Sequence, residues 1–401
     1  MLTDKTIILG VTGGIAAYKA ADLVSRLKKK NANVEVIMTD GARNFVTPLT
    51  FQTMSGNIVH TKMFNEIIDY DVEHISLAQK ADIILIAPAT ANTIGKIANG
   101  IADNLLTTVV MASDKKVIFA PAMNTKMYQN PIYRENMEKL KDLGYEFIQP
   151  AMGKLACGDF GEGKMAEPAD IVDYLLGAFV QKDLIDRKIV ITAGPTMEPL
   201  DPVRYMTNHS SGKMGYSIAR NAVDRGAKVV LISGPTSLEA PRGVDLVRIN
   251  TTEEMLNAVD KHFDSCDVLI KSAAPVDYRP KDISSRKIKK KQGQDSLLIE
   301  YVKNPDIAAY FGRKKGKQIM VGFAAETDNV YEYAIEKLRQ KNLDFIVSND
   351  LTKEGAGFNT DTNIISIIDG DGREVNYPKM EKTQVAKIIL DRVKYLLEDK
   401  G

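Results

Sequence analysis

Val117-Ile118-Phe119-Ala120-Pro121-Ala122-Met123-Asn124-Thr125-Lys126-Met127-Tyr128 is the stretch from which the fold can be read. The short apolar run Val117 to Phe119, bounded upstream by charge, reads as a buried strand of a parallel sheet about to leave it. In open parallel sheets ligands sit in the crevice beyond the carboxyl ends of the strands, and Asn124 falls there. Its amide can donate to a carboxylate without neutralising it, which suits a site that holds an anion and then releases it. The same residue also suits the cap of a helix beginning near Thr125, and this stretch leaves both readings open.

Upstream, the strand Thr6 to Leu9 empties into Gly10-Val11-Thr12-Gly13-Gly14. Ala16, Ala20, Leu23 and Leu27 then recur at spacings of 4, 3 and 4, one buried face of a helix. Strand, glycine turn and helix make an anion cradle: paired glycines let the backbone approach a phosphate, and the free N–H groups of the helix start point at it. The dinucleotide fingerprint is missing, because the order is Gly10-x-x-Gly13-Gly14-x-x-Ala17, which favours a mononucleotide phosphate over NAD. A tight turn that needs glycine for geometry alone reads the same way. The strand Val34 to Met38 ends in Thr39-Asp40-Gly41-Ala42, and Ile83 to Ile86 ends in Ala87-Pro88-Ala89-Thr90-Ala91-Asn92-Thr93. Small and hydroxylated residues at several strand ends suit a flat ring lying against backbone. Between them His74 opens a helix, either as a base or as a structural imidazole. Downstream, a strand spans Tyr145 to Ile148. Leu155 to Pro168 then carries three glycines within six residues and Cys157, and reads as an irregular, mobile flap presenting one thiol.

Composition narrows the function classes. A chain of 401 residues holds two domains of ordinary size. With 53 basic and 52 acidic side chains there is no global field to attract nucleic acid or a membrane, so local clusters must bind any anion. Two cysteines, Cys157 and Cys266, make no disulfide framework, and four histidines offer no spacing for a structural zinc site. A reducing cytoplasm is the expected home, with no leader and no run of ~18 apolar residues to span a bilayer.

Thr12-Gly13-Gly14-Ile15-Ala16-Ala17-Tyr18-Lys19, His74-Ile75-Ser76-Leu77-Ala78, Pro88-Ala89-Thr90-Ala91-Asn92-Thr93, Pro121-Ala122-Met123-Asn124-x-x-Met127 and Ala156-Cys157-Gly158-Asp159 together resemble the flavin-dependent cysteine decarboxylases. They are most similar to the phosphopantothenoylcysteine decarboxylases. Tyr128 stands where much of that family has tryptophan. The resemblance implies a flavodoxin-like flavoprotein domain over residues 1–183, of the homo-oligomeric flavin-containing cysteine decarboxylase type. It implies FMN on Thr12, Gly13, Gly14, Ile15, Thr39, Thr90, Asn92 and Thr93. Asn124 would hold the substrate carboxylate, His74 would assist oxidation and deprotonation, and Cys157 would donate a proton. Oxidation of the substrate's cysteine side chain to a thioaldehyde creates an electron sink, and carbon dioxide leaves as an ene-thiolate forms.

From Val180 to Lys188 the apolar periodicity breaks, and a strand starts at Ile189, which places a domain boundary near residue 184. Strands at Ile189 to Thr192, Lys228 to Ile232, Val268 to Lys271, Ile319 to Val321 and Phe345 to Val347, with helices such as Glu332 to Gln340, give a second parallel α/β unit. Ile364 to Ile368 followed by Asp369-Gly370-Asp371-Gly372 reads as a hairpin, and Val385, Ile389, Val393 and Leu396 mark a closing helix. Asp201-Pro202-Val203-Arg204-Tyr205-x-x-Asn208-His209-Ser210-Ser211-Gly212-Lys213 precedes a helix, to bind phosphate or to cap. Arg286-Lys287-Ile288-Lys289-Lys290-Lys291 gathers five cations in six positions, either a solvated loop or a triphosphate clamp.

These stretches, with Ala273-Ala274-Pro275-Val276-Asp277-Tyr278-Arg279, Lys303-Asn304-Pro305-Asp306-Ile307, Gly322-Phe323-Ala324-Ala325-Glu326-Thr327 and Lys337-x-x-x-Lys341-Asn342, resemble the phosphopantothenate–cysteine ligases. The resemblance implies a ribokinase- or Rossmann-like domain over residues 184–401. It would activate 4'-phosphopantothenate with CTP as an acyl-cytidylate, release pyrophosphate and transfer the acyl group to L-cysteine. Arg204 and Asn208 would hold the acyl-cytidylate and Lys287 its phosphates. Asp277, Asn304, Pro305, Asp306, Ile307, Phe323, Lys337 and Lys341 would surround CTP, whose Mg²⁺ is carried mainly by the phosphates with Asp277 as an added contact. The segment 278–294 is expected to order over CTP. An assembly of flavin-half trimers, up to a dodecamer, and ligase-half dimers is implied as well. Three rival readings are weaker. A nicotinamide oxidoreductase lacks its fingerprints, a flavoprotein acting only as a regulatory subunit has no need of His74, Asn124 and Cys157, and a flavin prenyltransferase leaves the second half without a purpose.

Overall fold

The computed structural model describes residues 2–63, 72–154, 160–289, 296–326, 330–350, 357 and 360–399. They form two units, Met1–Phe179 and Val180–Gly401. In the first, β1 (Thr6–Val11), β2 (Asn33–Met38), β3 (Val59–His60), β4 (Ile83–Ala89), β5 (Lys116–Pro121) and β6 (Glu146–Phe147) make a parallel sheet in the order β3-β2-β1-β4-β5-β6. Without the short edge strand β3 this is the flavodoxin order, and with it the Rossmann order. In both, the strand order reverses between β1 and β4. The central strands β1, β4 and β5 are almost wholly apolar because helices cover both faces. Ile7 and Leu9 pack on the side of the helices Ala17–Lys29 and Pro168–Ala178, while Ile8 packs with Leu77, Ile94 and Val109 on the other.

Two further strands, β7 (Ala151–Lys154) and β8 (Phe160–Lys164), pair antiparallel. This corrects the expectation that the glycine-rich segment is irregular. Glycine is tolerated in β8 because the strand lies against the Asn124 loop. A Cβ on Gly163, whose φ is +132°, would overlap the Met123 carbonyl oxygen, and one on Gly161 would come within 2.7 Å of Thr125 Oγ1. Cys157 lies outside the described residues.

The second unit contains β9 (Lys188–Ala193), β10 (Met197–Pro199), β11 (Tyr205–Thr207), β12 (Lys228–Ser233), β13 (Val244–Arg248), β14 (Val268–Lys271), β15 (Tyr278–Pro280), β16 (Tyr301–Lys303), β17 (Ile319–Glu326), β18 (Phe345–Asp350), β19 (Thr362–Asn363), β20 (Ile365–Asp369), β21 (Glu374–Asn376) and β22 (Met380–Glu381). Its main sheet runs β13-β12-β9-β14-β17-β18-β20-β21, parallel as far as β18 and antiparallel beyond. The expected hairpin is β20–β21, which turns where Gly372 takes a φ of +86°. The helix Lys382–Asp399 buries Val385, Ile389 and Val393 on one face, as their spacing predicts. Among the described residues no helix is long and apolar enough to cross a membrane.

Candidate active sites

Where the first sheet reverses its strand order, the loops after β1, β2, β4 and β5 enclose a cleft of about 1110 Å³. Gly13, Gly14, Ile15, Thr39, Thr90, Asn92, Thr93 and Asn124 all line it. The two glycines are needed for different reasons. A Cβ on Gly13 would sit 2.9 Å from the Gly41 backbone, so the exits of β1 and β2 touch main chain to main chain; a Cβ on Gly14 would meet nothing nearer than Thr90 Cγ2 at 3.7 Å. Packing fixes Gly13, whereas Gly14 keeps space open at the start of the 13-residue helix Ala17–Lys29, where an anion is favoured. Thr12 stands behind this wall at 1 % exposure, its Oγ1 donating to the Pro88 carbonyl at 2.6 Å and accepting from Thr90 N at 3.1 Å. It ties the β4 exit to the β1 exit. Thr90 then caps the helix Ala91–Ala98, accepting from Thr93 N at 3.4 Å.

Asn124 combines the cap with a place in the cleft wall. It caps the helix Thr125–Gln129, Oδ1 accepting from Lys126 N at 2.8 Å, and it lines the cleft. β8 supports this loop, Met123 N donating to the Gly163 carbonyl at 2.9 Å, and adds Gly163 and Lys164 to the wall, with Met165 just beyond its end. The sequence reading missed the cleft's charges. Lys19 is buried and pairs with Glu167 at 2.9 Å, which Lys164 also reaches at 3.1 Å; Lys19 first, then Lys164, hold the Glu167 carboxyl below its usual range. Lys96 meets Asp103 at 2.6 Å. A signal existed for Lys19, since it falls on the helix face that the apolar period assigns to the core.

His74 is the second residue of the helix Glu73–Lys80 and does not line the cleft of its own chain. Its neighbour Glu73 reaches His60 of β3, Oε1 lying 2.5 Å from Nδ1. On the other side His60 Nε2 lies 3.5 Å from Glu35 Oε2 of β2, within ion-pair reach but without a formed hydrogen bond. Burial opposes charging of His60, yet Glu35 and Glu73 together outweigh it and raise its pKa.

In the second unit Asn208, Asp277, Asn304, Asp306 and Lys341 come together around the carboxyl end of β14. Asn208 Nδ2 donates to the Ala274 and Pro275 carbonyls at 3.2 and 3.1 Å. The Asp277 carbonyl accepts from Asn304 N at 2.8 Å, and Asn304 Nδ2 donates to the Val276 carbonyl at 2.8 Å. Asp306 caps the helix Ile307–Lys314 through Oδ1 and meets Lys341 Nζ at 3.1 Å through Oδ2. Lys341 N donates to the Lys337 carbonyl at 3.0 Å, which sets the two lysines one turn apart. Ile307 is buried, Phe323 packs partly against the core and Pro305 is exposed.

Two residues without an expected role join them. Lys271 closes β14, and burial lowers its pKa to about 8 against the pull of Asp306. Asp201 accepts from Arg204 Nε at 3.1 Å and Nη2 at 2.6 Å, so the Arg204 charge is already matched within the chain. The segment expected to order only over CTP is in part tied down: β15 pairs with β16, and Ile288 N donates to Asp201 Oδ2 at 3.1 Å. Lys287 is exposed on this segment, and residues 290–294 lie outside the described ones. Among the described residues no group of three or more His, Cys, Asp or Glu is arranged to hold a metal.

Residues 1–180 match the Flavoprotein family model, and residues 184–396 that of the DNA/pantothenate metabolism flavoprotein C-terminal domain. Over 405 residues the chain is 46 % identical to the coenzyme A biosynthesis bifunctional protein CoaBC of Bacillus subtilis, covering 100 % of this chain and 99 % of that one. This chain belongs to the bifunctional coenzyme A biosynthesis protein family. The Escherichia coli K12 member is 43 % identical over 100 % of this chain and 99 % of its own. A crystal structure of the C-terminal domain of a CoaBC protein is 44 % identical, covers 55 % of this chain and 100 % of that one, and has a TM-score of 0.47. In this member of the bifunctional family the cleft lies in the flavoprotein half, and the cluster around Asn208, Asp306 and Lys341 lies in the other.

Proposed function

We propose that this bifunctional enzyme of coenzyme A biosynthesis first joins 4'-phosphopantothenate to L-cysteine in its second half, using CTP and an acyl-cytidylate. Its first half then decarboxylates the product, 4'-phosphopantothenoylcysteine, to 4'-phosphopantetheine with the help of FMN. The observation that carries the reading is that residues expected from separate motifs, Gly13, Gly14, Ile15, Thr39, Thr90, Asn92, Thr93 and Asn124, line one cleft. They do so in a chain alignable with its bifunctional relatives over nearly their whole length.

The cleft suits FMN. It has room for a flavin beside a substrate, a helix start and open glycine for the phosphate, and Ile15, Met123 and Met127 as apolar walls for the ring. Bound FMN supplies the electron-pair acceptor that the carbon skeleton lacks. Asn124 receives the substrate carboxylate through its N–H groups while Oδ1 stays in the cap. Cys157 gives the final proton. His74 assists deprotonation, and it serves the cleft of a neighbouring copy in a trimer-based assembly. Val72 and Ile75 beside it are 57 % and 39 % exposed, an apolar face suited to such a contact.

In the other half, residues 184–401, which pair as dimers, Arg204 and Asn208 hold the acyl-cytidylate. Lys287, Lys337 and Lys341 meet the phosphates, and Phe323 with Asn304 to Ile307 surrounds the nucleotide. Mg²⁺ travels with the phosphates, with Asp277 as an added contact. The decarboxylase occupies the first half, up to the break near residue 184, and the cytoplasm is the site of action.

Incubation with 4'-phosphopantothenate, L-cysteine, CTP and Mg²⁺ should release pyrophosphate and carbon dioxide, followed separately. A preparation without flavin absorbance near ~450 nm that still evolves carbon dioxide would overturn the flavin assignment. Mixed oligomers of His74→Asn and Cys157→Ser chains, each inactive alone, should recover up to roughly a quarter of the decarboxylation, the share of randomly formed sites with both residues intact. No recovery would return His74 to its own chain's cleft.

A further inference from the structure

Asp201 sits in the turn between β10 and β11, and its side chain is fully shielded from solvent. A buried carboxylate needs donors on both oxygens. Oδ1 accepts from Val203 N and Arg204 N, both at 2.8 Å, which closes the turn on itself. Oδ2 is used differently. It accepts from Arg204 Nε at 3.1 Å, from Arg204 Nη2 at 2.6 Å and from Ile288 N at 3.1 Å. Arg204 Nη2 continues to the Ile288 carbonyl at 3.1 Å, across a separation of 84 residues. Both backbone polar groups of Ile288 are therefore held by one ion pair. A second tether, Ser284 N to the Leu200 carbonyl at 3.1 Å, fixes the other end of the same segment. Between the tethers the side chains of Arg286 and Lys287 are exposed.

We propose that Asp201 is the latch that positions the Lys287 segment over the ligase site. The proposal rests on the assignment of Arg204 and Lys287 to the acyl-cytidylate made above. Closing the β10–β11 turn would need Oδ1 alone, so Oδ2 is left to bind a distant segment. The residue it anchors is the immediate neighbour of Lys287. A lysine reaches its phosphate through a flexible four-carbon stem, so fixing the backbone at its base removes most of the search. The same carboxylate orients Arg204, whose Nε and Nη2 both face Asp201 and whose Nη2 also reaches the Ile288 carbonyl. Asp201 is thus a positioning residue for two cationic side chains that come from distant parts of the sequence. Arg204 first, and then the backbone donors, hold its carboxyl well below the usual carboxylate range. The latch stays ionised at neutral pH and is released only as pH falls through that lowered value.

The test uses the full chain with FMN and reads both activities. Asp201→Asn removes the charge that pairs with Arg204 and leaves one acceptor oxygen for two sets of donors, so it cannot both close the turn and hold Arg204 and Ile288. Ile288→Pro removes the Ile288 N–H, at the cost of a stiffer backbone at 287–288, and does not touch either side chain of the Asp201–Arg204 pair. In both variants trypsin cleavage after Lys289, and in Asp201→Asn also after Lys287, should accelerate by about tenfold or more without nucleotide, with protection regained at saturating CTP. The KM for CTP in pyrophosphate release should rise by about tenfold, while carbon dioxide release from supplied 4'-phosphopantothenoylcysteine stays within about twofold. Asp201→Glu should recover part of the loss.

Cleavage rates and KM unchanged in both variants would overturn the latch. Should Asp201→Asn also lose carbon dioxide release, Ile288→Pro decides on the same readouts. A wild-type chain that releases no pyrophosphate would sink the ligase reading instead, and the trypsin comparison would still test the latch.

Discussion

At Asn124 one side chain carries a structural bond and a proposed catalytic one, and substitution can separate them. Aspartate caps a helix as well as asparagine does and is favoured at its positive end. The Oδ1 bond to Lys126 N therefore survives in Asn124→Asp. Its negative charge opposes the substrate carboxylate where the amide would donate to it. We predict an unchanged thermal midpoint together with a fall of roughly 10²–10³ in carbon dioxide release. A melting curve and a gas assay on the same preparation check both halves of this. The neighbouring glycines divide in the same way. Gly13→Ala forces a Cβ to within 2.9 Å of the Gly41 backbone, and should cost about 1–3 kcal/mol in denaturant unfolding. Gly14→Ala finds its nearest atom at 3.7 Å. It should keep its stability and lose flavin, read as absorbance at ~450 nm after gel filtration. The two glycines looked alike in sequence, because what separates them is Gly41, a contact made only when two strand exits meet.

Among the elements, the helix Glu73–Lys80 is held to the sheet edge by His60, which lies between Glu73 and, on β2, Glu35. Burial resists the charge on His60, but the carboxylates prevail and its pKa is raised; His60 in turn lowers that of Glu35 in spite of burial. A raised histidine pKa gives a stabilisation that is complete below the ordinary value of ~6.5 and is lost as pH rises through the raised one. The lowered Glu35 gives a contribution present above the ordinary carboxylate value and lost as pH falls through the lowered one. The charge of Lys80 acts on Glu35 in the same direction as His60. We predict that amide exchange in Glu73–Lys80, corrected for intrinsic rate, increases between about pH 6 and 8.5 more than in Ala17–Lys29. His60→Gln should remove the difference.

No sequence pattern announced this cluster, whose members come from three elements. The longer strands of the two main sheets were legible because each is a largely apolar run, whereas short ones such as β3, β10, β11, β15 and β16 carry too few apolar residues to show a period. β13 was not legible either, since its partly buried edge position mixes Asp245 and Arg248 with its apolar residues. β8 was misread because glycine signals a turn only when no neighbouring chain demands it, and here the Met123–Asn124 backbone and the Thr125 side chain do.

For the whole molecule, the break in apolar period near residue 184 marked where one α/β unit gives way to the next, but could not say which unit owns the residues at the break. Each unit has its own pair of buried clusters, one on each face of its sheet, so each half should fold by itself. Asp183 belongs to the second. Its carboxylate accepts from Arg225 Nε at 2.7 Å and Nη2 at 2.8 Å, and Leu184 N donates to the Arg225 carbonyl at 2.9 Å. The Arg225 side chain is 4 % exposed, and Asp391 takes Nη1 at 2.7 Å. A fragment that begins at residue 184 keeps this guanidinium buried and removes the partner that grips two of its nitrogens. Removing one member of a buried pair costs roughly 3–5 kcal/mol, and Asp391 offsets part of that. Residues 180–401 should therefore exceed residues 184–401 by about 2–4 kcal/mol in urea unfolding, with the same pyrophosphate release per folded molecule. Adding back Asp183 as glutamate should recover only part of the difference, because the longer stem displaces the two-point grip. Equal midpoints for the two fragments would place Asp183 outside the fold of the second unit.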